Sequence, residues 1–436
     1  MTPLAAPFPP VSPVIELQER FITVRAATMR LIAPLSPEDL MVQSSPDASP
    51  AKWHLAHTSW FFETFVLADF LPGYKAFHPD FHWLFNSYYN ALGEIPEKKL
   101  RASFSRPPLN EILGYRRHVD AAVGRLVESP EIADEALRRI TLGLEHEQQH
   151  QELIATDIKH ALFTNPLHPA YIEEDGVASR AGEAIAPPMA WIPFAGGLTE
   201  VGIDPDPESV TDFAFDNETP RHRVYLAPYS LASRPVTCAE YLAFIDQDGY
   251  ARPELWLSEG WTKMRMEGWQ APLYWRRDSA TKSGWSVYTM HGFKLLEDLS
   301  ETPVCHLSFF EADAYARWAG CRLPTEFEWE HAASSLQTTG NFIETEALHP
   351  TAATNTPGLQ QLYGDTWEWT SSGYTGYPGY KPLPGALGEY NGKFMSSQVI
   401  LRGGSCVTPA AHIRATYRNF FPPSTRWQFS GLRLAK

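Results

Sequence analysis

The chain changes character once along its length. Up to about residue 165, apolar residues recur at the 3.6-residue spacing of amphipathic helices; beyond 188 they come in short runs broken by Gly, Pro and Trp. Two domains are therefore expected: a helical unit at 1–165, a linker at 166–188 rich in Pro, Gly, Ala and charge, and an α+β unit at 189–436 with much irregular structure. The length of 436 residues agrees, because a single hydrophobic core stops growing below that size. Within the first unit, helices are expected near 14–33, 50–71, 108–128 and 131–163, enough for a four-helix bundle. Ser49-Pro50 and Ser129-Pro130 each offer a capping hydroxyl before a residue suited to a first helical turn. The second and third helices are joined by roughly 35 residues, far more than a bundle loop needs; such a connection is functional or disordered, and His82, Trp83, Tyr88 and Tyr89 within it point to order.

The formal charge of −15 repels a phosphate backbone, and no Lys/Arg run offsets it, so nucleic acid is not an expected partner. The opening MTPLAAPFPPVSP lacks a basic segment followed by an apolar one, and the most apolar run, 60–71, contains Glu63 and Asp69. A cytoplasmic protein free of membrane is expected. Four cysteines, none in a CxxC pair, read as reduced thiols.

In LEHEQQHQE, His146 and His150 are four residues apart and lie on one helix face, a turn from each other. Leu142, Gly143 and Leu153 share their stripe, so both rings point into the bundle, where a buried imidazole needs a partner. A third ligand is sought on a facing helix. His57 in WHLAHTSWFFE sits among Trp53, Trp60, Phe61 and Thr64, and ranks ahead of His54, which lies nearer the edge of that face. Three imidazoles suit Zn, Fe, Cu or Ni, and a facial set leaves up to three positions for other ligands. The same segment spells HExxH, which in zinc peptidases supplies two ligands and a glutamate base, here Glu147. Leu153 and Thr156 stand where the metzincin extension needs Gly and His, and a carboxylate ligand would have to come from Glu173 or Glu174.

The second half carries PVCHLSFFEADAYARWAGCRLPTEFEWEHAA, GDTWEWTSS, ILRGGSC and FSGLRLAK, and resembles formylglycine-generating (sulfatase-modifying) enzymes. Those enzymes bear a reactive cysteine pair shortly after the RGGS turn, whereas Cys406 stands alone, so their own oxidase chemistry is not expected. WHLAHTSWFFE and HEQQHQE resemble a DinB-type metal-binding bundle. Together the two halves resemble the ergothioneine-biosynthesis sulfoxide synthases (EgtB family) over nearly the whole chain. The resemblance implies an α+β protein: a DinB-like four-helix bundle followed by a formylglycine-generating-enzyme-like (C-type-lectin-like) domain rich in irregular structure.

It further implies a non-haem Fe(II) enzyme, with His57, His146 and His150 as ligands, that uses O2 to join a thiol to the imidazole of hercynine (N-α-trimethylhistidine) as a sulfoxide. A tyrosine then serves as proton or electron donor: Tyr88 and Tyr89 on the long connection, or, in the position some relatives use, Tyr374, Tyr377 or Tyr380 after the WEWT motif. The trimethylammonium of hercynine calls for an aromatic wall, for which YRNFFPP offers Phe420 and Phe421 beside Asn419, while Gln149 can bond the imidazole. Arg106 can clamp the carboxylate of the thiol substrate. Relatives that take γ-glutamylcysteine carry an Asp and an Arg where Phe421 and Thr425 align, so cysteine is the expected thiol. Two other readings stay open at this point: a zinc peptidase using Glu147, and a non-catalytic metal-stabilised binding module.

Overall fold

The computed structural model describes residues 13–93, 95–173, 185–206 and 209–436; part of the expected linker, Glu174 included, lies outside them. Four helices build the N-terminal part: α1 Pro13–Ile32, α2 Ala51–Phe62, α3 Leu109–Val127 and α4 Asp134–Thr164. A wider π-type turn, Glu63–Leu67, prolongs α2. The long connection is ordered by a helical turn at Phe81–Leu84 and 3-10 turns at Asn90–Leu92 and Lys98–Ser103. The caps expected from the two Ser-Pro pairs do not form. Pro50 itself is the N-cap of α2, Ser49 is drawn off to Asp157 and Arg101, and α4 begins only at Asp134. A buried carboxylate and guanidinium compete for the serine more strongly than a helix end does.

The helices are bolted together by charge as well as by apolar packing. Glu147 of α4 is fully buried and accepts from Arg25 Nη1 at 2.8 Å and Thr28 Oγ1 at 2.6 Å, both on α1, and from Arg116 Nη2 of α3 at 2.5 Å. Arg25 also donates to Ser59 of α2, so one cluster touches all four helices. Close approach of α2 and α4 requires a glycine: a Cβ at Gly143 would stand 2.6 Å from the Phe62 ring.

The second part has strands β1 Trp191–Phe194, β2 Gly197–Val201, β3 His222–Leu226, β4 Tyr229–Ala232, β5 Trp275–Arg277, β6 Trp285–Thr289, β7 Gly292–Leu295, β8 Trp367–Gly373, β9 Val399–Arg402, β10 Asn419–Phe421 and β11 Ser430–Gly431. They form two-stranded β1–β4 and β2–β3 sheets, an antiparallel β5–β6–β7 sheet, and a sheet of order β10-β9-β8-β11 in which only β8–β11 is parallel. Among its helices, Phe309–Trp318 carries the capping box of Ser308 and Glu311. This part docks on α4. Trp367 Nε1 and Thr408 Oγ1 bond Glu152 at 2.7 and 2.5 Å, and Lys159 Nζ lies 2.8 Å from His306 Nε2. With the bundle on one side and strands and loops on the other, α4 buries polar residues on every face, and each of those just named has a specific partner. No helix among the described residues is long and apolar enough to cross a membrane.

Candidate metal centre

Helix α2 supplies His57 and α4 supplies His146 and His150, and one nitrogen from each lies within 4.8 Å of the others. All three rings are buried. The tautomers follow from the hydrogen bonds. His57 Nδ1 is 2.7 Å from the Phe85 carbonyl, which can only accept, so the ring proton sits there and Nε2 keeps its lone pair. For His150 the logic runs through a second imidazole: Asp157 Oδ2 is 3.2 Å from His54 Nε2, and His54 Nδ1 is 2.7 Å from His150 Nδ1. With the carboxylate fixing the proton on His54 Nε2, His54 Nδ1 accepts from His150 and leaves His150 Nε2 bare. His54 thus stands behind His150 rather than in its place. Neither nitrogen of His146 has a hydrogen-bond partner, nor does His57 Nε2.

Packing holds the rings where they are. His57 is stacked between Trp53 and Trp60, at 4.5 and 5.3 Å between centroids, and His146 lies on Phe61 at 4.5 Å. Burial, with neighbouring imidazoles adding to it, lowers the pKa of His57 and His150 well below the usual value; burial takes His146 down to about 3. The rings are therefore neutral at ordinary pH, the form a metal binds. Unpartnered buried nitrogens are costly, and converging lone pairs without a proton between them are what a divalent cation satisfies. The donor set fits a metal.

Glu147 does not take part, which corrects the peptidase reading. Its carboxylate is spent on Arg25, Arg116 and Thr28, and despite burial those neighbours hold it at about 2, too weak a base to activate water.

The long connection packs Tyr89 against Trp60, the ring that stacks on His57. Tyr89 is fully buried, packs on Trp60 at 5.5 Å and Phe65 at 5.1 Å, and its hydroxyl meets no polar group among the described residues but the Tyr88 phenol. Tyr88 stacks on it at 4.6 Å. Burial raises both phenols above their usual pKa. From Tyr88 an aromatic path runs through Phe394 at 5.2 Å to Phe420 at 5.9 Å, which stacks on Tyr374 at 4.0 Å. Strand alternation turns Asn419 and Phe421 to the other face of β10, where Phe421 meets Trp427. Tyr374, Tyr377 and Tyr380 are held within the second part, by Asn217 and Asn391, by Arg402 and Glu326, and by Asp216. Arg106 is exposed near Lys52; the arginine beside the histidines is Arg101, 3.4 Å over the Trp53 ring.

Sequence reasoning missed Tyr390 and Tyr417. Tyr390 packs on His146 at 5.7 Å and donates to Gln149 Oε1, while Gln149 Nε2 donates to Tyr417 at 2.7 Å. A cleft of about 320 Å³ lined by Leu142, Phe213, Phe215, Asp216 and Asn391 ends at Tyr390. Nothing local in GALGEYNGKF signals that role, since it depends on a contact between residues 149 and 390.

Comparison with known proteins agrees with this architecture. Residues 20–154 match the DinB superfamily, and 177–436 match the sulfatase-modifying factor enzyme 1-like domain. Hercynine oxygenase of Mycolicibacterium smegmatis is 30% identical over 96% of this chain and 98% of its own. The chain belongs to the hercynine oxygenase family. The Mycobacterium tuberculosis member is also 30% identical, over 94% of this chain and 96% of its own. Formylglycine-generating enzyme of Bos taurus shares 25% identity over 53% of this chain and 70% of its own. The hercynine oxygenases thus combine both matched domains, and this chain is an enzyme of that kind.

Proposed function

We propose that this enzyme binds Fe(II) through His57, His146 and His150 and couples cysteine to hercynine in ergothioneine biosynthesis. The overall reaction joins the thiol sulfur to the imidazole carbon as a sulfoxide, with one O2 consumed and its second oxygen leaving as water. The observation that carries the reading is the set of buried, unpartnered imidazole nitrogens at the centre of a chain related to hercynine oxygenases along nearly its full length. Fe(II) held there supplies the O2 chemistry and favours the thiolate form of the sulfur.

The chain's own residues do the rest. Trp53, Trp60 and Phe61 orient the ligands and keep bulk water out. Tyr89 stays protonated at neutral pH, with burial raising its pKa, and its buried hydroxyl, which among the described residues meets only the Tyr88 phenol, makes it the donor of the hydrogen that oxygen takes up; Tyr88 backs it. Gln149, fixed by two tyrosines, keeps one amide hydrogen for the hercynine imidazole. Phe420, on the aromatic path from Tyr88, offers its face to the trimethylammonium, whereas Asn419 and Phe421 lie on the opposite face of β10 and are not part of that wall. Arg106, exposed near Lys52, is not assigned to the carboxylate of the thiol substrate, since the arginine beside the histidines is Arg101. The preference for cysteine follows from Phe421 and buried Thr425, which present no charge to a glutamyl group. An oxygen electrode tests this: Fe(II)-loaded enzyme with hercynine consumes O2 on addition of cysteine, and more slowly with γ-glutamylcysteine. No uptake with either thiol overturns the reading.

A further inference from the structure

We propose that Glu389 and Lys393 are positioning residues for the reaction: acting from the second domain, they fix the backbone on which Tyr88 and Tyr89 stand. The inference rests on the role given above to those tyrosines. A short strap, residues 389–394, lies over the long connection of the bundle. Glu389 Oε1 accepts the Ala91 N–H at 2.8 Å, and its Oε2 accepts the Asn90 N–H at 3.1 Å, with the Asn90 side-chain amide at 3.5 Å. Lys393 donates to the Tyr88 carbonyl and to Glu389 Oε2, the latter at 2.8 Å. One ion pair therefore binds three consecutive backbone groups, the carbonyl of residue 88 and the amides of 90 and 91, bracketing Tyr89 on both sides. Phe394 completes the grip with its edge on the Tyr88 ring at 5.2 Å.

From the bundle side, the Tyr89 backbone is held by Asn86, whose Oδ1 accepts the Tyr89 N–H at 3.1 Å and whose Nδ2 donates to the Tyr89 carbonyl at 3.0 Å, and by the Leu92 N–H, which donates to the same carbonyl at 3.1 Å. Asn86 thus holds the two peptides that flank Tyr89 and reaches no further along the chain. The direction in which the phenols then point depends on the turn that follows, Asn90–Leu92, whose first two amides are those that Glu389 holds. The same strap carries Tyr390, packed on His146, so the element that sets the tyrosine loop also touches the metal centre. Small displacements of a donor are expensive in rate and nearly free in binding.

The test is a kinetic cycle on the Fe(II)-loaded full chain with three variants: Glu389→Gln, the pair Tyr88→Phe/Tyr89→Phe, and all three changes together. Glu389→Gln is expected to lower kcat about tenfold while KM for both substrates and iron stoichiometry stay at wild-type values. If Glu389 acts through the tyrosines, the triple variant is no slower than the tyrosine pair. Glu389→Asp recovers part of the rate. The exchange Glu389→Lys/Lys393→Glu does not, because a lysine cannot accept backbone N–H groups. A wild-type rate in the tyrosine pair overturns the tyrosine reading and this inference together. A slow tyrosine pair beside an unaffected Glu389→Gln overturns this inference alone, as do multiplicative losses in the triple variant or full recovery in the exchange. Lys393→Met, which leaves the amide bonds to Glu389 in place, is expected to lose less than Glu389→Gln; equal or greater loss contradicts the assignment.

Discussion

At the scale of single residues, a buried imidazole is only as good a ligand as the hydrogen bond behind it. His57 relies on one carbonyl, whereas His150 relies on a relay of His54 and Asp157. Replacing His54 with Phe keeps the volume but frees the His150 tautomer. We expect Fe(II) affinity to fall about 10- to 100-fold in an anaerobic titration, with the fold retained. Part of this was legible beforehand: Asp157 follows His150 by seven residues on the same helix face, and His54 precedes His57 by one turn. The order of roles was not, because spacing along a helix gives proximity and not which nitrogen faces which. Glu147 shows the same limit from the other side. HExxH reads as chemistry until Arg25 and Arg116, from two other helices, are seen to hold the carboxylate. Glu147→Gln is therefore expected to cost about 3–5 kcal/mol of stability in denaturant unfolding. Hydrolysis of a peptide substrate by the wild-type enzyme, lost in this variant, would restore the peptidase reading.

Helices were the most readable elements. The spacing of apolar residues predicts four of them, and observed spans such as Leu109–Val127 fall close to expectation, because a bundle helix advertises its buried face in its own sequence. The cap differs from expectation where Ser49 found a better partner than its helix end, although the helix starts within one residue of the expected position. Contact between elements is a different matter, and Gly143 is a case of it. Alanine favours a helix by roughly 1 kcal/mol over glycine, yet here its Cβ would fall 2.6 Å from a fully buried Phe62 ring. Overpacking costs about 1–3 kcal/mol, so Gly143→Ala is expected to lower Tm, with less bound iron because Phe62 adjoins the stacked Phe61. A raised Tm would mean that α2 and α4 can separate without loss.

For the molecule as a whole, the two matched domains behave as one site-building unit. The bundle supplies the three converging histidines and Tyr88–Tyr89, and the second domain supplies Tyr390, Gln149's anchor Tyr417, and the strap. Motifs in each half named the domains, but no motif spells out a contact across some 300 residues, such as Ala91 with Glu389, at a separation of 298. Acid sensitivity is a property of this whole. The buried imidazoles stay neutral in the fold, His146 down to about 3, while in the unfolded chain they take up protons below about 6.5. The unfolded state then binds more protons, so metal-free enzyme is expected to lose stability progressively as pH falls through 6 toward 4, as read by unfolding midpoints. Glu147, held at about 2, adds a further loss as pH drops below its ordinary value. A midpoint unchanged between pH 7 and pH 5 would mean the rings are solvated.

The most direct measurement is X-ray absorption of the anaerobic Fe(II)-loaded enzyme, counting nitrogen and oxygen scatterers around the iron with and without the two substrates. The account predicts three imidazoles at the iron, the remaining positions filled by water in the resting enzyme, and sulfur entering the shell when cysteine is added. Fewer than three imidazoles, or a shell closed by protein ligands that admits no sulfur, would contradict it.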